Sequence, residues 1–177
     1  GVPTGQYPKA YMKQVNDTLR KIADIQALDA DDVTGRNSLR NRAEMEVRYE
    51  YHQNEIADFK KQGAKLVICS THADCSDRCY PWQGRVYSLD HTTGITADGK
   101  RYIPLETATD IYYTTKAGKT YKNGLLGFNC RHRLYEYKDG MQVPYVSAKE
   151  QKQEYAITVR QRQMETQIRH YREEYLI

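Results

Sequence analysis

Residues 65–89, KLVICSTHADCSDRCYPWQGRVYSL, decide the fold class of this chain. The runs KLVICS and GRVYSL are short and rich in β-branched or alternating residues, which is typical of β-strands. The segment between them is polar and carries Cys75 and Cys79, so that with Cys69 in the first run three of the four cysteines lie in this stretch. This arrangement predicts a small, irregular β-rich region that holds a Cys/His cluster.

Helical patterns flank this region on both sides. Apolar residues recur at steps of three and four over residues 8–29 and again over residues 37–62, with a polar break between them. Ser147 and Glu150 form a capping-box pattern that predicts the start of a long C-terminal helix. The apolar stripes are Tyr11, Val15, Leu19, Ile22 and Ile25 in the first helix; Met45, Tyr49, His52, Ile56 and Phe59 in the second; and Ile157, Met164, Ile168, Tyr171 and Tyr175 in the third.

The middle of the chain contains further strand and turn signals. Residues 110–115 and 119–122 predict a hairpin, residues 131–137 alternate like a strand, and residues 90–100 predict a loop with a turn at Asp98 and Gly99. The sequence therefore predicts an α+β protein in which long N- and C-terminal helices flank a small irregular β-rich middle with a Cys/His cluster.

Composition excludes several classes of protein. The chain has 177 residues, a net charge of +4 and a hydrophobic share of 39%. No stretch approaches the roughly 20 apolar residues that span a bilayer, which excludes a membrane-spanning protein. Apolar residues recur throughout, which excludes a disordered chain. Residues 60–140 contain thirteen basic and eight acidic side chains, so the positive charge is concentrated in the middle.

The many tyrosines of the middle region have two interpretations. Tyrosine interleaved with Lys and Arg suits contact with a nucleic-acid backbone or a protein interface. Tyrosine also replaces phenylalanine in protein cores, where its hydroxyl group reaches the surface. The net charge of residues 60–140 is only +5, which favours the second interpretation.

The cysteines and histidines form two sequence-distant clusters. Four Cys in a polar chain indicate free thiols or metal ligands rather than disulfides. Two such clusters can complete a four-coordinate zinc site, and the alternative is that the thiols pack as small hydrophobic side chains. Cys69 lies in an apolar run and is expected to be packed. The candidate ligands are Cys75, Cys79, Cys130, His72 and His132.

A catalytic hypothesis uses the same residues. Cys130 beside His132 or His72 could act as a thiol nucleophile with its base. Asn129 and Arg131 could orient a phosphate or a carboxylate, although an Arg beside a strand also forms structural ion pairs.

Four stretches together resemble a known family: RNSLRNRAEMEVRYEYHQ (36–53), STHADCSDRCYPWQGRVYSL (70–89), GLLGFNCRHRLYEYKDG (124–140) and VRQRQMETQIRHYREE (159–174). Their order and content are similar to the phage minor capsid protein 2 family, within the broader head-morphogenesis proteins of tailed phages. The most specific parts are two motifs, WQG and NCRH, which comprise Trp82, Gln83 and Gly84, and Asn129, Cys130, Arg131 and His132.

The resemblance implies a low-copy structural protein of a phage head that acts near the portal or inside the capsid, in head assembly or genome packaging. Its implied partners are the portal and capsid proteins and, non-specifically, packaged double-stranded DNA, with no membrane. Its implied location is the virion, and the host cytoplasm during assembly. Residues 36–177 would form the family's C-terminal domain. Residues 1–35 would be a helix and linker that end a preceding, portal-contacting region.

The family pattern also bears on the Cys/His residues. It has a His at the position of His72 and commonly a second His where this chain has Cys79, an exchange between two zinc ligands. The family pattern also has an Arg directly after the position of Cys75, whereas in this chain the nearest Arg is Arg78.

Two other functions remain open at this stage. One is a phage-carried enzyme or effector, in which a cleft is lined by His72, Gln83, Cys130, Arg131 and His132. A deep pocket with an open metal position would favour it, whereas a closed or packed site would favour a structural protein. The other is a simple DNA-binding module, which requires the basic residues of the middle region on one face.

Overall fold

The computed structural model describes residues 10–26, 33–114, 116, 118, 120–127 and 130–175. It confirms the α+β class. Within these residues the helices are α1 (Ala10–Gln26), α2 (Val33–Lys61), α3 (Glu106–Thr109) and α4 (Ala148–Tyr175). The strands are β1 (Leu66–Cys69), β2 (Val86–Ser88), β3 (Gly94–Ile95), β4 (Arg101–Pro104), β5 (Tyr112–Thr114), β6 (Thr120–Lys122) and β7 (Leu134–Glu136).

Five of the strands form one mixed sheet in the order β3-β4-β2-β1-β7. The central strand pair β1 and β2 is antiparallel, with Val67 opposite Tyr87. Strand β7 pairs antiparallel with β1, whereas β4 pairs parallel with β2. Strands β5 and β6 form a separate hairpin, as the sequence predicts. The sheet therefore brings residues 130–136 next to the segment that follows β1.

Helix α1 packs on the middle of α2. Tyr11, Val15 and Val47 form a small buried cluster between the two helices. The Tyr11 hydroxyl donates to the carbonyl of Glu44 at 3.3 Å. Tyr11 and Val15 thus confirm the predicted stripe of α1, while Ile22 and Ile25 lie outside the side chains that the structure describes.

The two faces of the sheet are covered by different parts of the chain. One face carries the main core, which includes Val67, Tyr87 and Leu134, and Ile56 and Phe59 of α2 pack against it. The other face carries a smaller cluster around Ile68, Val86 and Tyr137. The predicted stripe of α2 therefore faces the sheet, because apolar side chains at helical spacing gain most by burial there.

The contacts that hold helix α4 within the described part of the chain include Gln151 and Thr158 in its N-terminal half. The Ser147 hydroxyl accepts the backbone N–H of Glu150 at 3.1 Å, which is one half of the predicted capping box. Gln151 is buried, but all the described side chains from residue 160 onward are exposed. Among the described residues, no helix has the length and apolar character that crossing a membrane requires.

Two sequence-based expectations are wrong in detail. Residues 90–100 contain strand β3, which pairs antiparallel with β4, so this segment is a hairpin rather than a plain loop. The turn at Gly99 is present, with φ of 88°. The second helix begins earlier than predicted, at Val33 rather than near Asn37.

Candidate Cys/His site

The Cys-rich segment between β1 and β2 forms a series of tight turns, not a helix. The backbone N–H of Cys75 donates to His72 O at 3.3 Å, and that of Cys79 donates to Ser76 O at 3.1 Å. Gly84 closes the segment with φ of 70°, and a Cβ atom there would lie 2.9 Å from the Thr71 side chain. Only glycine suits this position, which explains the last residue of the WQG motif.

The second cluster is positioned by the GLLG stretch before it. Leu125 and Leu126 are buried in the core. A Cβ atom on Gly127 would lie 2.3 Å from the Lys122 carbonyl oxygen, so the chain can turn here only with glycine. The backbone N–H of Cys130 then donates to Gly127 O at 3.1 Å. This turn directs Cys130 and His132 towards the Cys-rich segment.

Cys79, Cys130 and His132 come together in the interior. The two Sγ atoms lie 3.7 Å apart, and Cys130 Sγ lies 3.4 Å from His132 Nδ1. One ligand atom from each of the three residues lies within 4.8 Å of the others. Each of the three residues is no more than 2% exposed. The two sequence-distant clusters therefore converge, as predicted.

Gln83 connects the WQG motif to the NCRH motif. Its Oε1 accepts the backbone N–H of His72 at 2.9 Å, and that donor identifies the atom as oxygen. The same Oε1 lies 2.8 Å from His132 Nε2, which must therefore carry the proton and donate. His132 is held in the Nε2–H tautomer, and the lone pair of its Nδ1 faces Cys130.

The two thiols differ in their electrostatic environment. The hydrogen bond with Cys130, aided by His132 and by the charge of Arg78, holds the pKa of Cys79 well below its usual value against the effect of burial. Burial and the neighbouring Cys79 raise the pKa of Cys130. Burial raises the pKa of Cys75 to about 12. The thiolate of this site is therefore Cys79.

The surrounding histidines are neutral. Burial lowers the pKa of His72 to about 4, and a proton on His132 would lower it further. Burial also lowers the pKa of His52 to about 4, although its hydrogen bond to the Cys130 carbonyl opposes the shift. The rings of His72 and His132 meet edge to face, with centroids 4.6 Å apart. Neutral imidazole is the form that binds metal ions.

Two of the three ligand separations in this group are compatible with a zinc ion. Zinc lies about 2.3 Å from sulfur and about 2.0 Å from nitrogen, so the edges of its tetrahedron measure roughly 3.8 Å for two sulfurs and roughly 3.5 Å for sulfur and nitrogen. The two measured separations, 3.7 and 3.4 Å, match these edges. The Gln83 carbonyl that accepts from His132 Nε2–H is the kind of contact that orients a ligating histidine.

The other predicted site residues lie around this group. Cys75, His72 and Arg131 line a cavity of about 630 Å³ that the three-residue group also borders. Trp82 packs against the main core. Cys69 is fully buried in β1. Asn129 lies outside the described residues. Gln83 does not line this cavity but contacts the group through its hydrogen bond with His132.

Sequence reasoning missed several residues of the same region. Arg48 from α2 and Arg162 from α4 line the cavity together with Arg78. His52 approaches Cys130 from α2, with Nε2 at 3.1 Å from its carbonyl oxygen. Arg48 and His52 stand four residues apart, and this spacing places both on the helix face that the apolar stripe already identified.

Comparison with known proteins gives one match. The family model described as "Phage minor capsid protein 2" matches residues 11–177, which is nearly the whole chain. No curated protein and no solved structure matches the chain significantly. Because one family model accounts for almost every residue of the fold and of the Cys/His site, the chain belongs to the phage minor capsid protein 2 family, and it is a structural component of a phage capsid that associates with other capsid components in the virion.

Proposed function

We propose that this protein is a low-copy component of a tailed-phage head that acts near the portal or inside the capsid, in head assembly or genome packaging. The observation that supports this role is the exposed apolar stripe of α4. Ile157, Met164 and Ile168 are 51%, 54% and 50% exposed, although each belongs to a helix with a buried base. Apolar side chains exposed in a row are typical of a surface that binds another protein.

The spacing of the stripe indicates the kind of partner. Residues 164, 168, 171 and 175 follow each other at steps of four, three and four, which is the spacing of a coiled-coil seam. Residue 157 lies one heptad before 164. We propose that a helix of the portal or of another head protein packs along this seam, as helices do in groove-type recognition.

Pull-down with the portal and capsid proteins of the same phage tests the stripe. The double variant Met164→Glu, Ile168→Glu should lose the complex, because two charges would be buried in the seam. The matched control is Gln163→Glu, Gln167→Glu, which adds the same charge one position earlier on the same exposed helix. Equal binding of the two double variants would contradict the proposal. Quantitative mass spectrometry of virions should find far fewer copies than of the major capsid protein.

Contact with packaged DNA is a second part of this proposal. The basic middle region supports it, and the contact would be weak, non-specific and strongly dependent on salt. Filter binding with random double-stranded DNA at low and physiological salt measures this. Salt-independent binding, or no binding at low salt, would refute it.

We also propose that Cys79, Cys130 and His132 hold a structural zinc ion, with His72 or Cys75 as the source of a fourth ligand. The match of the ligand separations to a tetrahedron supports this. A small polar region with little apolar area gains most from such a brace, since bound zinc contributes roughly 10 kcal/mol or more to folding in small domains. The alternative is that hydrogen bonding between Gln83 and His132 joins the two motifs without metal.

An enzyme or effector carried by the phage is the second candidate function. The clustering of His72, Cys130 and His132 at a cavity wall favours it, and the low pKa of Cys79 makes that thiol the better nucleophile. Alkylation with iodoacetamide at pH 6 tests it, with the fully buried Cys69 as internal control. Modification of Cys79 well before Cys69 would support a reactive site. Equal protection of both thiols would reject it.

A further inference from the structure

The cavity beside the Cys/His group is lined by an unusual number of arginines. Four guanidinium groups reach it from four segments: Arg48 from α2, Arg78 from the Cys-rich turns, Arg131 from the NCRH motif and Arg162 from α4. Asp74 is the one acidic residue among its described lining. The volume of about 630 Å³ lies in the range of small-molecule sites.

Two of these arginines have buried nitrogen atoms that nothing in the described part of the chain satisfies. Arg48 is 8% exposed, and its Nε is buried and lacks a hydrogen-bond partner among the described residues. The same holds for Nε of Arg78, whose Nη1 donates to Asn123. A buried, unsatisfied guanidinium nitrogen is costly, and native proteins retain few of them.

Arg133 shows how a buried arginine with a structural role is paired in this protein. Arg133 is also 8% exposed, but its Nε lies 3.2 Å from a Glu55 carboxylate oxygen and its Nη2 donates to the Tyr51 hydroxyl. Among the residues that the structure describes, neither Arg48 nor Arg162 forms such an ion pair. The contrast indicates that Arg48, whose Nε is buried and unsatisfied among the described residues, is arranged for a charge that comes from outside the chain.

We propose that this cavity binds the terminal phosphate of a nucleotide-sized ligand. Guanidinium groups recognise phosphate through paired, charge-assisted hydrogen bonds. Four arginines against the Asp74 carboxylate and the Cys79 thiolate leave an excess of two positive charges, which matches a dianion. Tyr155, which also lines the cavity, offers an aromatic face on which a base can stack. A free nucleotide and the 5′ end of a nucleic-acid strand both present such a phosphate, and the titrations below distinguish them. This inference does not depend on the portal or zinc proposals.

Isothermal titration of the full chain with AMP, adenosine and inorganic phosphate tests the inference. AMP should bind at least about tenfold more tightly than adenosine, because the charged hydrogen bonds go to the phosphate. A short oligonucleotide with and without a 5′-phosphate identifies the source of the ligand. Stronger binding of the phosphorylated strand indicates a nucleic-acid end, and binding of AMP alone indicates a free nucleotide. If neither phosphate form exceeds its phosphate-free counterpart, the inference is overturned.

Two variants separate this site from general charge effects. Arg162→Ala should weaken AMP binding about tenfold, whereas Arg160→Ala, which removes the same charge from the same exposed helix outside the cavity, should change it less than about twofold. Equal losses in the two variants would overturn the inference. Arg48→Met should abolish AMP binding without lowering the melting temperature, since it removes an unsatisfied nitrogen. A large loss of thermal stability in Arg48→Met would assign Arg48 a structural role instead.

Discussion

His52 should make the stability of this protein fall steeply in mild acid. The His52 ring is 1% exposed. Its Nε2 lies 3.1 Å from the Cys130 carbonyl oxygen, to which the neutral Nε2–H tautomer donates a hydrogen bond. Burial lowers the pKa of His52 from 6.5 to about 4. Between these two pH values the unfolded chain takes up a proton that the folded chain does not.

The sign and size of the change in the free energy of unfolding follow from this difference in proton uptake. Because the unfolded state binds more protons, the free energy of unfolding decreases as pH falls through this window and is unaffected above it. One pKa unit corresponds to about 1.4 kcal/mol, so two and a half units give a loss of about 3 kcal/mol at pH 4. That is a large part of the 5–15 kcal/mol that is typical of a folded domain.

Urea denaturation at several pH values from 7.5 to 4 measures the effect. His72 also has a lowered pKa, so the parent protein alone cannot isolate His52. His52→Gln keeps a donor for the Cys130 carbonyl but does not titrate, and it should lose about 3 kcal/mol less than the parent between pH 7.5 and 4. His170→Gln, at an exposed position on α4, should follow the parent curve. Parallel curves for the parent and His52→Gln would refute the reasoning.

Three further predictions concern the contacts that join distant parts of the chain. Cys130→Ser should lower the melting temperature and should reduce the bound zinc, measured by elemental analysis, from nearly one to less than about 0.2 ions per chain, whereas Cys69→Ser should keep its zinc. If the parent protein, purified without chelator, contains less than about 0.2 zinc ions per chain, the metal hypothesis is refuted. Gln83→Ala removes the acceptor of two buried hydrogen bonds and should cost about 2–4 kcal/mol in urea denaturation, while the exposed Gln142→Ala should cost almost nothing. Arg133→Met leaves the carboxylate of Glu55 buried without its partner and should lower the free energy of unfolding by about 3 kcal/mol. Lys13→Met breaks the exposed pair with Asp17 and should lower it by less than about 0.5 kcal/mol. Similar losses in the two variants would show that burial does not strengthen the pair of Arg133 with Glu55.

The elements with a local signal could be predicted from the sequence. The stripe of α2 identified the face that meets the sheet, and Ser147 marked the start of α4 through its own side chain. The convergence of Cys79, Cys130 and His132 was also predictable, because the four cysteines lie in only two segments of a polar chain and each segment also contains a histidine. Such signals lie within a few residues of the structure they specify.

The features that depend on distant pairing could not be predicted. The parallel pairing of β2 with β4 has no local signature, and β3 is only two residues long. The cavity arginines were missed for the same reason: Arg48 and Arg162 lie in helices whose polar residues read as solvated faces. Only the folded chain shows that the start of α4 and the middle of α2 approach the Cys-rich turns from two sides.

The Cys-rich turns connect the Cys/His group to the exposed helix α4. On one side they supply Cys79 to the group, and on the other they hold the base of α4 through the Gln151 amide on the Cys75 carbonyl and the Thr158 hydroxyl on Asp74. Because the described side chains of α4 from residue 160 onward are exposed, these contacts near its start fix the direction in which the apolar stripe points. Anything that stiffens the turns, such as a ligand in the cavity or an ion at the Cys/His group, also stiffens the surface that other head proteins would meet. A buried Cys/His group in a capsid protein is therefore consistent with a structural role, since it orders a region whose own apolar area is small.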